Sequence, residues 1–127
     1  MLPRSVEDVE AAIDDFVVVV DRHERVLACA ALHEYCPSLA EVSSVAVARD
    51  AQGMGLGTMA VRSVEAMARQ REVTELFALS LAEPFFESLG YESVPLARFP
   101  EKVARYEALA ARGIAVTPKT CFRKALT

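Results

Sequence analysis

The sequence predicts an α/β fold of the α+β type, in which a mixed, mostly antiparallel sheet is flanked by helices. Two observations lead to this prediction. Three apolar runs rich in β-branched residues follow one another with only short polar turns between them, which is the pattern of an antiparallel meander. Helix-like and strand-like segments then alternate, which gives the order α-β-β-β-α-β-α-β-α-β. A chain of 127 residues fits one domain, residues 1–127.

The N-terminal half is predicted to hold one helix and the three strands of the meander. A capping-box pattern at Ser5 begins a helix that ends near Asp14. The polar stretch 21–25 and the pair Pro37-Ser38 are turn signals between the strands. The strands expected are Phe16–Val20, Val26–Leu32 and a central strand from about Glu41 to Val47.

The C-terminal half is predicted to alternate helices and strands. The run that begins at Leu56 has helical periodicity to about Arg71. Gly90 and Gly113 each follow a helix-like segment, where glycine can adopt the left-handed conformation that ends a helix. The remaining elements expected, in chain order, are the strand Glu75–Ser80, the helix Leu81–Leu89, the strand Tyr91–Val94, the helix Glu101–Ala111 and the strand Thr120–Leu126.

Three glycines at alternate positions, Gly53, Gly55 and Gly57, connect the central strand to the long helix. Glycine lets the backbone adopt a positive φ or approach a ligand closely, because no Cβ is in the way. The first amides of a helix lack intrahelical partners, and the helix dipole favours negative charge there. We therefore expect this turn to bind a phosphate or pyrophosphate. The alternative is a turn without a ligand, but an ordinary turn requires one glycine rather than three.

The spacing of these glycines distinguishes between the known phosphate-binding motifs. A P-loop is excluded because no Lys-Ser or Lys-Thr pair follows the last glycine. The dinucleotide-binding pattern G-x-G-x-x-G is excluded as well, since the glycines here are spaced G-x-G-x-G. The stretch Gln52–Thr58 at the end of a strand resembles the acyl-CoA pyrophosphate loop of the GNAT family of N-acetyltransferases.

Two further stretches resemble the same family. Residues 84–92, PFFESLGYE, carry an aromatic pair followed by Leu-Gly-Tyr, which is similar to a later motif of the family. Residues 29–47, CAALHEYCPSLAEVSSVAV, are similar to N-acetylglutamate synthases and to small stand-alone acetyltransferases related to them. The resemblance implies the GNAT fold, a place in arginine biosynthesis, and transfer of an acetyl group from acetyl-CoA to the amine of a small acceptor. The α-amine of glutamate is one such acceptor.

The resemblance also implies which residues bind acetyl-CoA, without a metal ion. The backbone of the central strand would pair with the pantetheine amides. The glycine loop would hold the pyrophosphate, and the aromatic pair would contact the cofactor. In this sequence these positions are Val45, Ala46, Val47, Gln52, Gly53, Met54, Gly55, Leu56, Gly57, Thr58, Phe85 and Phe86.

Glu41 and His33 are the candidates for the base that takes a proton from the acceptor amine. Glu41 opens the central strand, where some members of the family place a catalytic glutamate. Histidine has an intrinsic pKa near neutrality, and His33 is expected to end the neighbouring strand, so both side chains could face one cleft. For each residue the alternative is a purely structural role.

The sequence departs from the family pattern in three places. The family usually begins with a strand and a helix ahead of the segment that residues 2–5 resemble, and we expect both elements to be missing here. Phe86 stands where many members carry a tyrosine proposed to protonate the leaving thiolate, and phenylalanine donates no proton. Ser80-Leu81-Ala82 occupies the place of an arginine thought to bind the glutamate carboxylate in the bacterial synthases. A non-catalytic acyl-CoA-binding module is therefore the alternative function.

Composition limits the remaining possibilities. A net charge of −4 and an apolar content of 53% favour neither disorder nor nucleic-acid binding. No apolar run approaches the roughly 20 residues that span a bilayer, and the N-terminus lacks a secretory signal, so we expect a cytoplasmic protein that does not bind a membrane. Cys29, Cys36 and Cys121 lack the spacing of a metal site. Apolar surface left by the missing first elements favours a homodimer.

Overall fold

The computed structural model describes residues 5–114 and 118–126. Within these residues the helices and strands follow the order predicted from the sequence, with short 3₁₀ turns added. The helices are α1 (Val6–Ala11), α2 (Leu56–Gln70), α3 (Glu83–Ser88) and α4 (Pro100–Ala111). The strands are β1 (Phe16–Val20), β2 (Val26–Cys36), β3 (Leu39–Val47), β4 (Glu75–Ser80), β5 (Glu92–Val94) and β6 (Thr120–Ala125). None of the described helices is both long and apolar enough to cross a bilayer.

The described chain divides into two compact units. The first contains the residues up to Leu76 together with Ala125 and Leu126, and the second contains Phe77–Lys124. In the first unit β1, β2 and β3 form an antiparallel meander, which confirms that prediction. In the second unit the strand order is β4-β6-β5, and β5 is antiparallel to β6. The assignment of the whole chain to one domain stays a prediction.

β2 is longer than predicted, because it continues through the polar residues 33–36. This extension pairs with β3, and His33 lies directly opposite Glu41 in the ladder. Backbone pairing rather than a run of apolar side chains therefore determines where the strand ends. The prediction that His33 ends its strand was wrong, since a two-residue turn at Pro37-Ser38 follows only after Cys36.

Two β-bulges interrupt the ladder between β2 and β3. One inserts Tyr35 as an extra residue of β2, because Glu34 is opposite Ala40 whereas Cys36 is opposite Leu39. The other inserts an extra residue into β3 near Ser44, whose φ of 55° lies in the left-handed region. A bulge bends its strand and re-aims the neighbouring groups, so both irregularities shape the surface on which the candidate residues lie.

α2 packs on the meander of the first unit through small side chains. Ala60, Val61, Val64 and Ala68 are fully buried along one side of the helix. Their small size lets the helix approach the strands closely. Glu65 is buried with them, and Arg62 one turn earlier donates to its carboxylate over 2.9 Å, which balances the buried charge. The long helix behind the glycine loop is thus firmly anchored within its unit.

An aromatic cluster forms the core of the second unit. Phe77 stacks on Phe99 with the ring centroids 4.4 Å apart. Phe86 packs edge-on against Tyr91 at 5.2 Å and stacks on Phe122 at 5.6 Å. These contacts fix α3 against β6. The helix begins two residues later than predicted, with a proline in its first turn, where the missing N–H costs nothing.

Candidate functional site

The glycine loop joins β3 to α2 with two of its residues in the left-handed conformation. Gly53 and Gly55 have φ values of 82° and 76°, which residues with a side chain rarely adopt. Gly55 is the N-cap of α2, and its carbonyl accepts the first helical hydrogen bond from the N–H of Met59 over 3.1 Å. The helix amides that precede this bond are those of Leu56, Gly57 and Thr58.

The charge at the N-terminus of α2 also suits an anion. The first turn, all of it described, carries no acidic residue, although Asp or Glu is the usual complement to the positive end of a helix dipole. Residues 52–55 are exposed. Leu56 at the start of this 15-residue helix is buried, and Gly57 and Thr58 are half-buried. The first amides of a helix are the groups that donate hydrogen bonds to a phosphate.

β3 bends just before the three residues expected to bind the pantetheine. The bulge at Ser44 breaks the regular pairing with β2, and the Cys29 thiol donates to the Ser44 carbonyl over 3.4 Å. Val45 and Val47 are half-buried, and Ala46 is exposed. The sequence has no glycine or proline at this bulge, so the bulge was not predicted. The irregularity is local, because Ala46 and Val47 pair again with Cys29 and Ala28 of β2.

Three polar side chains share one face of the β2–β3 hairpin. His33 and Glu41 are direct cross-strand partners, so their side chains point to the same face. The hydroxyl of Tyr35 donates to Oε1 of Glu41 over 2.9 Å, and the rings of His33 and Tyr35 lie 4.7 Å apart. Glu41 is only 6% exposed. The structure thus brings both candidate bases together and adds Tyr35 to them.

The sequence prediction missed Tyr35 because β2 was expected to end at Leu32. Once the strand extends further, residues two apart lie on the same face, which places Tyr35 beside His33. That spacing is a signal that the sequence contains. The bulge that turns Tyr35 towards Glu41 leaves no comparable signal.

The aromatic pair predicted to contact acetyl-CoA lies in the second unit. Phe86 is buried in the aromatic cluster, and the half-buried Phe85 packs edge-on against it at 5.1 Å. Phe86 therefore has a packing role that explains its size and apolarity. Cofactor binding by either residue stays a prediction.

An ion pair links the β1–β2 turn to the 3₁₀ turn that precedes the glycine loop. The guanidinium of Arg25 donates to both carboxylate oxygens of Asp50, over 2.8 and 2.5 Å. The hydrogen bond from Arg25 holds the pKa of Asp50 below its ordinary value, and the same bond raises the pKa of Arg25. Both side chains are exposed, so the pair orients the start of the loop but adds little to stability.

The cysteines show no arrangement for covalent or metal chemistry. All three lie in the described part of the chain, and none forms a disulfide. Burial raises the pKa of the half-buried Cys29 thiol, which reduces its reactivity at neutral pH. Within residues 5–114 and 118–126, no group of three or more His, Cys, Asp or Glu side chains could hold a metal ion.

Residues 3–91 match the model of the acetyltransferase (GNAT) family. An uncharacterized N-acetyltransferase of Chlorobaculum tepidum, CT2212, is 37% identical over 105 residues, which cover 83% of this chain and 67% of that protein. An amino-acid acetyltransferase of Pectobacterium atrosepticum is 35% identical over 104 residues, which cover 80% of this chain but only 23% of the relative. The chain therefore spans about a quarter of the length of such an amino-acid acetyltransferase.

A solved structure with a similar fold is N-acetylglutamate synthase from Neisseria gonorrhoeae, complexed with coenzyme A and N-acetyl-glutamate. Its TM-score to this chain is 0.84 at 25% identity, and the match covers 100% of this chain and 29% of the synthase. This likeness confirms the predicted fold class, a mixed, mostly antiparallel sheet flanked by helices.

Proposed function

The chain belongs to the acetyltransferase (GNAT) family and takes its acetyl group from acetyl-CoA, and we propose that the acceptor is the amine of a small amino acid such as glutamate. The observation that carries this proposal is the position of Glu41 on β3. The same strand holds the buried carboxylate near its start and leads into the glycine loop at its end. The names of the relatives, amino-acid acetyltransferase and N-acetylglutamate synthase, support an α-amino acid.

The first unit offers the groups that acetyl-CoA needs. The amides at the N-terminus of α2 would hold the pyrophosphate, with Gln52 and Thr58 beside them. The backbone of Val45–Val47, which follows the bulge at Ser44, would pair with the pantetheine amides. When bound, acetyl-CoA supplies a thioester whose carbonyl carbon is open to attack by an amine.

Glu41 is proposed as the general base. An amino acid carries an ammonium group at neutral pH, and only the neutral amine has the lone pair that attacks a carbonyl. The Glu41 carboxylate would accept the ammonium proton, directly or through one water. Its burial keeps it in one orientation, and the hydrogen bond from Tyr35 fixes one of its oxygens.

His33 is the second candidate for the general base, and its contacts on the hairpin support this candidate. It lies opposite Glu41 in the ladder and against the ring of Tyr35, so its imidazole belongs to the same polar face. Neutral histidine is a competent base near pH 7. Substitution of each residue separates the two assignments.

The acceptor itself is tested by turnover with a panel of amines. The purified chain is incubated with acetyl-CoA and single amines, and acetylated products are measured by mass spectrometry. A thiol reagent is unsuitable for detecting released CoA, because Cys36 is exposed and would react. Turnover with α-amino acids above the rate of acetyl-CoA hydrolysis supports the proposal. Turnover confined to polyamines or peptides would mean that the acceptor belongs to that class of amine and is not an α-amino acid.

Glutamate needs a direct comparison with its neutral analogue. Ser80-Leu81-Ala82 supplies no cation for a side-chain carboxylate, and Leu81 is 71% exposed. If another group of the protein binds that carboxylate, glutamate should have a higher kcat/KM than glutamine. Equal values would show that the side-chain charge is not recognised.

A non-catalytic acyl-CoA-binding module is the second candidate function, and Phe86 favours it. This residue cannot protonate a leaving thiolate, and its ring is buried in the aromatic cluster. Under this alternative the chain binds acetyl-CoA in calorimetry but acetylates none of the amines.

We propose a homodimer, supported by exposed valines on β1 and at the start of β2: Val18 is 56%, Val20 48% and Val26 53% exposed. Exposed apolar residues that adjoin one another are commonly covered by a partner. A cytoplasmic enzyme of arginine biosynthesis, without nucleic-acid or membrane partners, fits the composition and the named relatives.

A further inference from the structure

Tyr35 occupies an unusual position in the β2–β3 hairpin. In a regular ladder it would pair with Leu39, but the register shifts by one residue so that Cys36 takes that place. Tyr35 is the residue that the bulge adds. Bulges occur next to functional sites because they redirect a side chain without ending the strand. Here the hydroxyl of this extra residue lies 2.9 Å from Oε1 of Glu41.

The Tyr35–Glu41 hydrogen bond has a definite chemical effect. A phenol hydroxyl that donates to a carboxylate oxygen forms a charge-assisted hydrogen bond and limits rotation of the carboxyl group. Glu41 is only 6% exposed, so few water molecules compete with Tyr35 for this oxygen. The ring of Tyr35 is held in turn by His33, at 4.7 Å and tilted by 60°.

We propose that Tyr35 is a positioning residue for Glu41. Its hydroxyl holds the carboxylate in one orientation, so that Glu41 can take the proton of the acceptor amine. This inference rests on the proposed function, because it assigns a partner to the base named there. His33 then serves to support the Tyr35 ring, which gives it a role without proton transfer.

A purely structural role makes a different prediction from a positioning role. If the hydrogen bond only stabilises the hairpin next to Pro37-Ser38, its loss should lower the free energy of unfolding and reduce the apparent kcat only through the smaller folded fraction, equally with glutamate or glutamine at position 41. If Tyr35 acts through Glu41, its loss should lower kcat and leave KM for acetyl-CoA unchanged. Loss of the Tyr35 hydroxyl should also lower kcat only while residue 41 can act as a base.

The test is a double-mutant cycle of Tyr35→Phe and Glu41→Gln, assayed with the best amine of the panel. Tyr35→Phe should lower kcat by about tenfold to a hundredfold, the usual effect of losing a hydrogen bond to a charged group. In the Glu41→Gln background the same substitution should change kcat less than about twofold. Tyr106→Phe, which removes a hydroxyl from a half-buried tyrosine of α4, is the matched control and should leave kcat unchanged.

A second measurement does not depend on turnover. The protein is produced with ¹³C-labelled glutamate residues and studied by NMR. The side-chain carboxyl resonance that is missing from the spectrum of Glu41→Gln is assigned to residue 41. Tyr35→Phe should shift this resonance at neutral pH, whereas Tyr106→Phe should not. An unshifted resonance would show that Tyr35 does not donate a hydrogen bond to Glu41 in solution, which would refute the inference.

The outcomes separate this inference from the proposed function. If Glu41→Gln abolishes activity while Tyr35→Phe has wild-type kcat, the base is correct and the role of Tyr35 is refuted. If the two substitutions are additive, Tyr35 acts independently of Glu41 and the inference is refuted. If Glu41→Gln retains wild-type kcat, the proposed base itself is wrong.

Discussion

His33 and Glu41 face each other directly across β2 and β3. Cross-strand partners have side chains within about 4.5–5.5 Å at Cβ, so one substrate amine can approach either of them. Position along the strand therefore does not decide which one is the base. Isosteric substitution distinguishes the two residues, because it removes either the carboxylate or the imidazole as a base and leaves the other in place.

Glu41→Gln should lower kcat/KM by about 10² to 10⁴, the usual contribution of a general base. Glutamine keeps the shape of the side chain and can still accept the hydrogen bond from Tyr35, but it cannot take a proton. Acetyl-CoA affinity should change little. The loss should shrink as the pH rises, because more of the acceptor is then already the neutral amine. Steady-state kinetics from pH 6 to 10 measures both effects.

His33→Asn is the control for this prediction. If the imidazole only supports the ring of Tyr35, the substitution should lower kcat/KM by less than about tenfold. A wild-type rate for Glu41→Gln, combined with loss of most activity in His33→Asn, would assign the base to His33.

Gly55→Asp should weaken acetyl-CoA binding more than Gly55→Asn. The two side chains have nearly the same shape, both tolerate the left-handed conformation that Gly55 adopts, and a Cβ there meets no described atom within 4 Å. They differ in charge. A carboxylate at the N-cap of α2 would repel a pyrophosphate, so Kd should be about tenfold or more higher for Asp than for Asn.

Isothermal calorimetry of both variants measures this difference, with circular dichroism to confirm that α2 remains folded. Equal affinities in the two variants would place the pyrophosphate away from this helix. The difference should also decrease in high salt, as expected for an interaction between charges near the surface.

The sequence was sufficient to predict the elements that have a strong local pattern. β1 and β4 have the predicted bounds, because an apolar β-branched run and a short apolar run each end at polar residues. The glycine loop was also predictable, since the left-handed φ values of Gly53 and Gly55 favour glycine over other residues.

Features that depend on pairing between strands were not predictable. The end of β2 at Cys36 is set by its ladder with β3, which a polar stretch of sequence does not reveal. The bulges at Tyr35 and Ser44 arise from the register between β2 and β3, which pairs residues that are separated along the chain, such as Cys29 with Ala46. The Tyr35–Glu41 contact follows from that register.

A Val18→Lys, Val20→Lys double variant should be monomeric if the exposed valines of β1 form the dimer interface. Wild-type protein should elute and scatter light as a dimer at micromolar concentration, because burial of these side chains contributes about 25 cal/mol per Å². Lysine on an edge strand opposes pairing with a second chain. Val6→Lys, which adds charge at another exposed valine, should remain dimeric. A monomeric wild-type chain would refute the dimer.

Cys36 should react with iodoacetamide well before Cys29 and Cys121 do at pH 7. Cys36 is exposed, Cys121 is buried, and the raised pKa of the half-buried Cys29 leaves less of it as the reactive thiolate. Because the charged form is the one disfavoured, raising the pH should speed the labelling of Cys29. Mass spectrometry of peptides from briefly labelled protein measures the order. Equal labelling of Cys29 and Cys36 at pH 7 would contradict it.

Ser43→Ala should leave the protein as stable as the wild type or make it more stable. Among the described residues, Ser43 carries the buried side-chain oxygen without a hydrogen-bond partner. A buried hydroxyl that makes no hydrogen bond costs roughly 1–3 kcal/mol of folding free energy. Removing it should therefore raise the free energy of unfolding by up to about 1–2 kcal/mol, measured by urea denaturation.

Ser80→Ala is the matched control for this last substitution, because the Ser80 hydroxyl oxygen accepts a hydrogen bond from the N–H of Ala82 over 2.9 Å. Its loss should lower the free energy of unfolding by about 0.5–1.5 kcal/mol, so the two serine substitutions should act in opposite directions. Destabilisation by Ser43→Ala equal to that of Ser80→Ala would mean that the Ser43 hydroxyl has a partner in solution. Since Ser43 lies two residues from Glu41 on β3, unchanged stability with a tenfold loss of kcat would instead assign that hydroxyl to the reaction.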